Sequence, residues 1–276
     1  MSLLSRLSGL FLDQVSIAVR RDSISIARSG PLPQRALMLS HTEAVDSKET
    51  GVLLDQMERL LADARWRNAR ARVLVSDALV RYCLLPSSEE LVSTSDELAL
   101  ASHRIRQIHG GAPDDWHIRL GNPLSGDTQP VAAMESAFII RLVEVLRSAS
   151  LTVLSIEPLF MRAYNVSRQR MGGERFWFAN VEPSSVSLAR IERGCWRTLA
   201  VRSAGEDCAE LLTAMRNELR LLGEASGEDG PCYAYAPAIP WVSNGLFSDA
   251  GWKNVAIGVW AGNRSGEAHV AKVLGV

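Results

Sequence analysis

Ser76 and Asp77 stand side by side at the end of an apolar run, and Arg81 follows four residues after Asp77. A carboxylate at such a place either does acid–base chemistry or caps a turn and pairs with the arginine. The spacing favours the second, because acids cap turns readily and acid–arginine pairs four apart share a helical face. The histidines are scattered. His103 and His109 do not share one helical face well, and His117 lies beside Trp116 in a short strand. No HExxH, GxSxG, GxxxxGK[ST] or GxGxxG pattern occurs. Cys83, Cys195, Cys208 and Cys232 form no CxxC pair, and fit small buried hydrophobes in a reducing compartment. Lys48, Lys253 and Lys272 are the only lysines, which removes most candidates for a catalytic or phosphate-gripping amine. No residue is therefore assigned a catalytic, cofactor-binding or metal-ligating role, and no cofactor is expected.

Two arginine groups remain. The stretch Arg65–Arg72 (RWRNARAR) reads as a solvated helix end, since cations favour helix C-termini, or as a docking patch for an acidic partner tail. Arg162, Arg168 and Arg170 form the second group. Phe176, Trp177 and Phe178 resemble a stacking strip. In a strand, though, Phe176 and Phe178 face one side and Trp177 the other, so core packing is the better reading.

The 276 residues carry 30 Lys+Arg against 31 Asp+Glu, a net charge of −1. That balance argues against a nucleic-acid coat, which needs concentrated positive charge. With 47% hydrophobic and 22% charged residues, the chain has room for one large domain or two lobes. No uninterrupted apolar run is long enough to span a bilayer, and the N-terminus lacks a signal-peptide pattern. Leu3, Leu4, Leu7, Leu10 and Phe11 outline a short amphipathic helix, packed inward or weakly docked on a surface or membrane.

Residues 15–19 and 23–28 read as a hairpin turning at Arg20–Asp22, with a third strand at Ala36–Leu39. Helical periodicity runs from Glu49 to Asn68, then strands at 71–77 and 79–86. A helix is expected over 88–109, a strand at 116–121, a helix over 131–149, a strand at 151–158 and a helix over 159–171. Residues 174–183, 185–194 and 195–203 read as a strand meander. A helix over 207–222, a strand at 232–238 and an element at 254–260 follow. This alternation argues for an α/β architecture with a mixed sheet. Strands, then helix, then strand occur twice, a hint of two related halves.

Val73–Pro86 (VLVSDALVRYCLLP) resembles the LSD…VRY…LP segment of the actin-like cytoplasmic proteins of bacterial pilus and type II secretion machines, the PilM, GspL and MshI-like proteins. The matching residues are Leu74, Ser76, Asp77, Arg81, Tyr82 and Pro86. Ser155–Arg168 is similar to the family's interdomain segment, SIAVRRDSISIAR to its first hairpin, and residues 174–222 to the start of its second lobe. The resemblance implies a duplicated ribonuclease-H-like (actin/Hsp70-like) α/β fold, two lobes around a cleft. Residues 1–155 would form the first lobe with the amphipathic helix, and 156–276 the second. It implies a non-catalytic cytoplasmic adaptor at the inner membrane face. Its partner would be the short cytoplasmic tail of a bitopic platform protein or an assembly ATPase, with a homodimer and peripheral membrane association as further contacts and no nucleic acid. The chain ends before any membrane helix, as either a freestanding member or the cytoplasmic part of a longer protein would.

PilM-like members bind ATP. Such sites need a tight acidic-Gly turn in the first hairpin, where backbone N–H groups approach the phosphates. Here the turn is Val19-Arg20-Arg21-Asp22. The matching turn of the second lobe reads Asn180 to Ser185, and Pro183 supplies no N–H. Gly245 and Gly251 are weak matches to the late adenosine-cradling turn, and Gly223 and Gly227 suit a surface loop. The expectation is no ATP hydrolysis and no tight ATP binding. The alternative is an ATP-binding actin-like protein whose phosphate turns have diverged.

Overall fold

The computed structural model describes residues 13–30, 37–45, 49–86, 93–121, 128–183, 185–203, 213, 217, 231–235 and 252–254. The elements in chain order are β1 (Gln14–Val19), β2 (Ser23–Ser29), β3 (Leu37–Ala44), α1 (Thr50–Leu61), β4 (Arg70–Val75), β5 (Arg81–Pro86), α2 (Thr94–His109), β6 (Trp116–Leu120), β7 (Thr128–Glu135), α3 (Ser136–Ser148), β8 (Thr152–Pro158), α4 (Leu159–Ser167), β9 (Arg175–Glu182), β10 (Ser185–Glu192), β11 (Cys195–Ser203), β12 (Cys232–Tyr235) and β13 (Trp252–Asn254). They divide into two compact units.

The first unit holds β1–β4, α1, α3 and β8. Its five strands lie in the order β3-β2-β1-β4-β8. β1, β2 and β3 are antiparallel neighbours, while β1, β4 and β8 run parallel. Alternation explains the burial. Val15, Ile17 and Val19 share a face with Ile24, Ile26, Val73 and Val75, and all are fully buried. The opposite face is lined by small or polar residues, Ser16, Ala18, Ser25 and Ala27, and is also buried. A sheet covered on both faces is what parallel strands require. α1 buries Leu53, Leu54, Met57 and Leu61 and packs on β2; α3 buries Phe138, Leu142, Val145 and Leu146. Arg141 of α3 bridges Asp55 at 3.4 Å and Glu58 at 2.5 Å on α1, tying the two helices together.

The second unit contains β5–β7, α2, α4 and β9–β13. Its larger sheet has the order β11-β10-β9-β12-β13. β9, β10 and β11 are antiparallel and β9, β12 and β13 parallel, so order and direction repeat those of the first unit strand for strand. Arg193 and Gly194 take positive φ, 50° and 76°, and close the β10–β11 hairpin in the left-handed region that matches strand twist. A three-stranded sheet, β5-β7-β6, carries α2. Its core is Cys83, Leu85, Ala101, Ile105, Ile118, Val131 and Ala133. Thr128 Oγ1 donates to the Trp196 carbonyl, linking this sheet to β11.

The hairpin at Arg20–Asp22 and the meander over 174–203 form as read from the sequence. Several segments differ: β3 runs on to Ala44 instead of ending at Leu39, held by its pairing with β2. Residues 131–135 belong to β7 rather than to a helix, because β7 sits between β5 and β6 and exchanges backbone bonds with both. The periodicity through Asn68 stops at Leu61. Asp63 caps a 3-10 turn by accepting from Arg65 N at 2.9 Å, and Asn68 turns left-handed at φ 56°. Residues 159–171 form a helix only to Ser167, followed by a 3-10 turn at Arg168–Arg170. The expected N-terminal amphipathic helix and the glycines near 223–251 lie outside the described residues, as does the 207–222 helix apart from residues 213 and 217. Residues Val80–Ser136, read within the 1–155 stretch, group with the second unit; the junction near 155 falls at Pro158/Leu159. Among the described residues no helix is long and apolar enough to cross a membrane.

Candidate functional site

Each unit's five-stranded sheet has a hairpin turn at the carboxyl end of its first strand in sequence, β1 or β9, the end where open α/β sheets take ligands. In the first unit Arg20 N donates to Ser23 O at 2.9 Å and Val45 N to Asp22 O at 2.7 Å. Ser76 N at the end of β4 donates to Val19 O at 2.8 Å. No residue of the turn takes positive φ. Arg21 and Asp22 are exposed. Arg20 is half-buried, with its Nε buried and without a hydrogen-bond partner among the described residues. A turn with two arginines, no glycine and no left-handed residue does not fit the close backbone approach to a metal-bound phosphate.

Asp77, the most chemical residue of the sequence, opens a short 3-10 turn over Asp77–Leu79 and is fully buried. Ser76 does the capping: its Oγ accepts from Ala78 N at 3.3 Å. Arg81 Nη1 donates to the Val80 carbonyl at 3.5 Å.

In the second unit the matching turn joins β9 to β10. Asn180 lies opposite Ser187, and Glu182 opposite Ser185. All four are buried, at 1–4% exposure, on the face that also carries Phe176 and Phe178. The turn read from the sequence spans Asn180 to Ser185 and leaves out Ser187, which the register sets opposite Asn180. Their alternate spacing on adjacent strands was the available signal. Pro183 stands in the turn itself, as read.

The aromatic strip is core. Phe178 meets Phe160 at 5.4 Å and Tyr164 at 5.7 Å, and Trp196 closes on Tyr164 at 4.7 Å. Phe176 meets Tyr233 at 5.9 Å, while Trp177 is buried on the other face. α4 thus anchors on β9 through aromatic contacts.

The arginine stretch 65–72 makes contacts within its own unit, while Arg65 and Arg67 stay exposed. Arg65 pairs with Asp63 at 2.7 Å, holding that carboxylate below its ordinary range, and Arg67 donates to Ala62 O at 3.1 Å. Arg28 donates to the carbonyls of Arg65 and Arg67 and pairs with Asp13 at 2.7 Å. Arg72 faces Glu157 at 3.9 Å. The helix-end reading of this stretch is replaced by a turn and a strand. Arg168 and Arg170 are exposed and Arg162 half-buried.

Partial desolvation lowers His109 and His117, and His109 Nε2 lies 3.4 Å from Tyr82 O. Burial pushes the Cys83 thiol up to about 11. Cys83, Cys195 and Cys232 are free thiols. Among the described residues no group of His, Cys, Asp or Glu is placed to hold a metal ion.

The chain has the actin-like ATPase fold. Its structure is similar to a Bacteroides thetaiotaomicron protein described as having an actin-like ATPase fold and unknown function, with TM-score 0.60, 12% identity and coverage of 91% of this chain and 90% of that one. It is similar to the cytoplasmic domain of EpsL, an inner-membrane component of the type II secretion system of Vibrio cholerae, with TM-score 0.56, 12% identity and coverage of 95% and 92%. It is also similar to a chain of the PilM–PilN type IV pilus biogenesis complex, with TM-score 0.59, 15% identity and coverage of 88% of each chain. No protein-family model matches the sequence, and no curated protein does. At these identities the likeness establishes the fold, and the expected actin-like architecture stands at that level.

Proposed function

We propose that this chain is a non-catalytic adaptor of an inner-membrane pilus or type II secretion assembly platform, working on the cytoplasmic side. The observation that carries the reading is the likeness, over about nine tenths of each chain, to EpsL's cytoplasmic domain and to the PilM–PilN complex. The misfit of the first hairpin turn to a metal-bound phosphate supports the non-catalytic part. The repeated strand order supports a duplicated ribonuclease-H-type architecture, one five-stranded sheet from each half of the chain, with Val80–Ser136 grouping with the second unit. The partner is the short cytoplasmic tail of a bitopic platform protein, or an assembly ATPase. The exposed Arg168 and Arg170 are the basic group an acidic tail meets; Arg65, by contrast, is already paired with Asp63 and Arg72 faces Glu157.

Titration of the pure protein with cytoplasmic tail peptides of platform proteins tests this. Saturable binding of one tail, weakened by Arg168→Glu with Arg170→Glu, is the expected result. Absence of binding to every tail and to the assembly ATPase sinks it. A second reading, nucleotide binding through diverged turns, draws on the buried Asn180, Glu182, Ser185 and Ser187 set. Micromolar Mg·ATP affinity that is lost in Glu182→Gln would favour it.

A further inference from the structure

β3 is the outer strand of the first unit's sheet, and among the described residues it pairs only with β2. It runs for eight residues, Leu37–Ala44, without proline or lysine, the devices that usually blunt an edge. Met38 is 61% exposed, and His41, Thr42 and Ala44 are exposed too. Among the described residues nothing pairs with its outer backbone groups, which can therefore take another strand.

The side chains select what that strand is. Successive residues alternate faces, so His41 and Glu43 share the face of Ile24 and Ile26, while Thr42 shares that of Ser25. Glu43 is fixed by a hydrogen bond from Gln56 of α1, and His41 Nε2 lies 3.5 Å from its carboxylate. Two copies of β3 can pair antiparallel in one continuous sheet only about a two-fold axis through a residue, because directly opposite side chains must share a face. An axis through Thr42 sets His41 of each copy opposite Glu43 of the other. It also sets Thr42 against Thr42, and Ser40 against Ala44. Moving the axis to His41 places histidine against histidine and leaves Glu43 opposite Leu39. Opposite charges and threonine pairs stabilise a ladder, whereas like charges oppose it.

We propose that β3 is a homodimerisation edge, pairing antiparallel with β3 of a second copy about a two-fold axis through Thr42, with two reciprocal His41–Glu43 contacts. The inference rests on sheet topology and charge placement, and stands apart from the adaptor reading. A single strand pair buries little surface, so the dimer is weak in dilute solution and forms readily only where copies are concentrated.

Sedimentation velocity over a concentration series at low ionic strength tests it. The wild type is expected to show a reversible monomer–dimer equilibrium. Thr42→Pro removes a ladder N–H and is expected to weaken the dimer by at least about tenfold. The charge variants keep the test independent of any misfolding by proline. His41→Glu alone puts acid against acid, and Glu43→Lys alone puts base against base, so each is expected to be monomeric. Mixed together, they are expected to form a heterodimer. A wild type that stays monomeric to its solubility limit overturns the proposal, including when an extended foreign peptide occupies the edge instead. So does association that ignores all three variants, or a failure of the two charge variants to pair.

Discussion

Cys83 shows how a residue of reactive type is made inert by its place. It is buried in the core under α2, and burial pushes its thiol up to about 11, so almost no thiolate exists at neutral pH. Cys195 and Cys232 are half-buried. Native alkylation at neutral pH followed by mass spectrometry is expected to modify these two well before Cys83, which should react only after denaturation. The two lowered histidines give a pH prediction. Desolvation holds His109 and His117 below the ordinary value of 6.5, so the unfolded chain binds protons more readily than the folded one. Their contribution to stability is full above about 6.5 and is lost as pH falls through that value towards the folded pKa. Urea midpoints are expected to drop between neutral and mildly acidic pH, and the drop to shrink in a His109→Gln, His117→Gln variant. An unchanged slope in that variant would assign the loss to other groups.

At the scale of elements, the core argument centres on α4. Phe160 is completely buried and touches Tyr82, Phe178 and Trp196 through ring contacts of 5.4–6.3 Å. Phe160→Ala is expected to cost about 3–5 kcal/mol, because a large ring leaves a cavity that its aromatic neighbours fill only in part. The β10–β11 turn carries a smaller cost of a different kind. Gly194 at φ 76° tolerates no β-carbon without strain, so Gly194→Ala is expected to lose about 1–2 kcal/mol although no packing contact is removed. Equilibrium denaturation of both variants checks the ranking. Elements whose pattern was local were legible in the sequence. Arg20–Asp22 between two alternating runs was enough for the first hairpin, and Val52 to Leu61 for α1. β7 was not legible, because Val131, Ala132 and Ala133 are as compatible with a helix as with a strand. Only the flanking strands β5 and β6, distant in sequence, decide it. The end of α1 was missed for a similar reason: Ala64 and Trp66 continue the apolar rhythm, and the Asp63 cap breaks it.

At the scale of the whole molecule, two sheets with the same strand order and the same pattern of directions carry a hairpin turn at corresponding ends. The fold class was legible from the Val73–Pro86 segment, whereas the buried Asn180–Ser187 and Glu182–Ser185 pairs needed the register to bring them together. What the two turns hold differs from what metal-nucleotide chemistry asks. The first presents Arg20 and Arg21 and no left-handed residue; the second contains Pro183, which lacks an N–H. Thermal unfolding makes this quantitative. A ligand held a thousandfold above its dissociation constant adds roughly 4 kcal/mol to stability. For a chain of this size that is a rise of roughly 10 °C in the melting temperature, at 2–4 °C per kcal/mol. Millimolar Mg·ATP is expected instead to move the melting temperature by less than about 1 °C, which corresponds to no more than a few tenths of a kcal/mol. A rise near the larger figure would mean that phosphates are gripped without the glycine turn. The buried Glu182 pair would then be the group to remove, and Glu182→Gln should abolish the rise if that turn does the gripping.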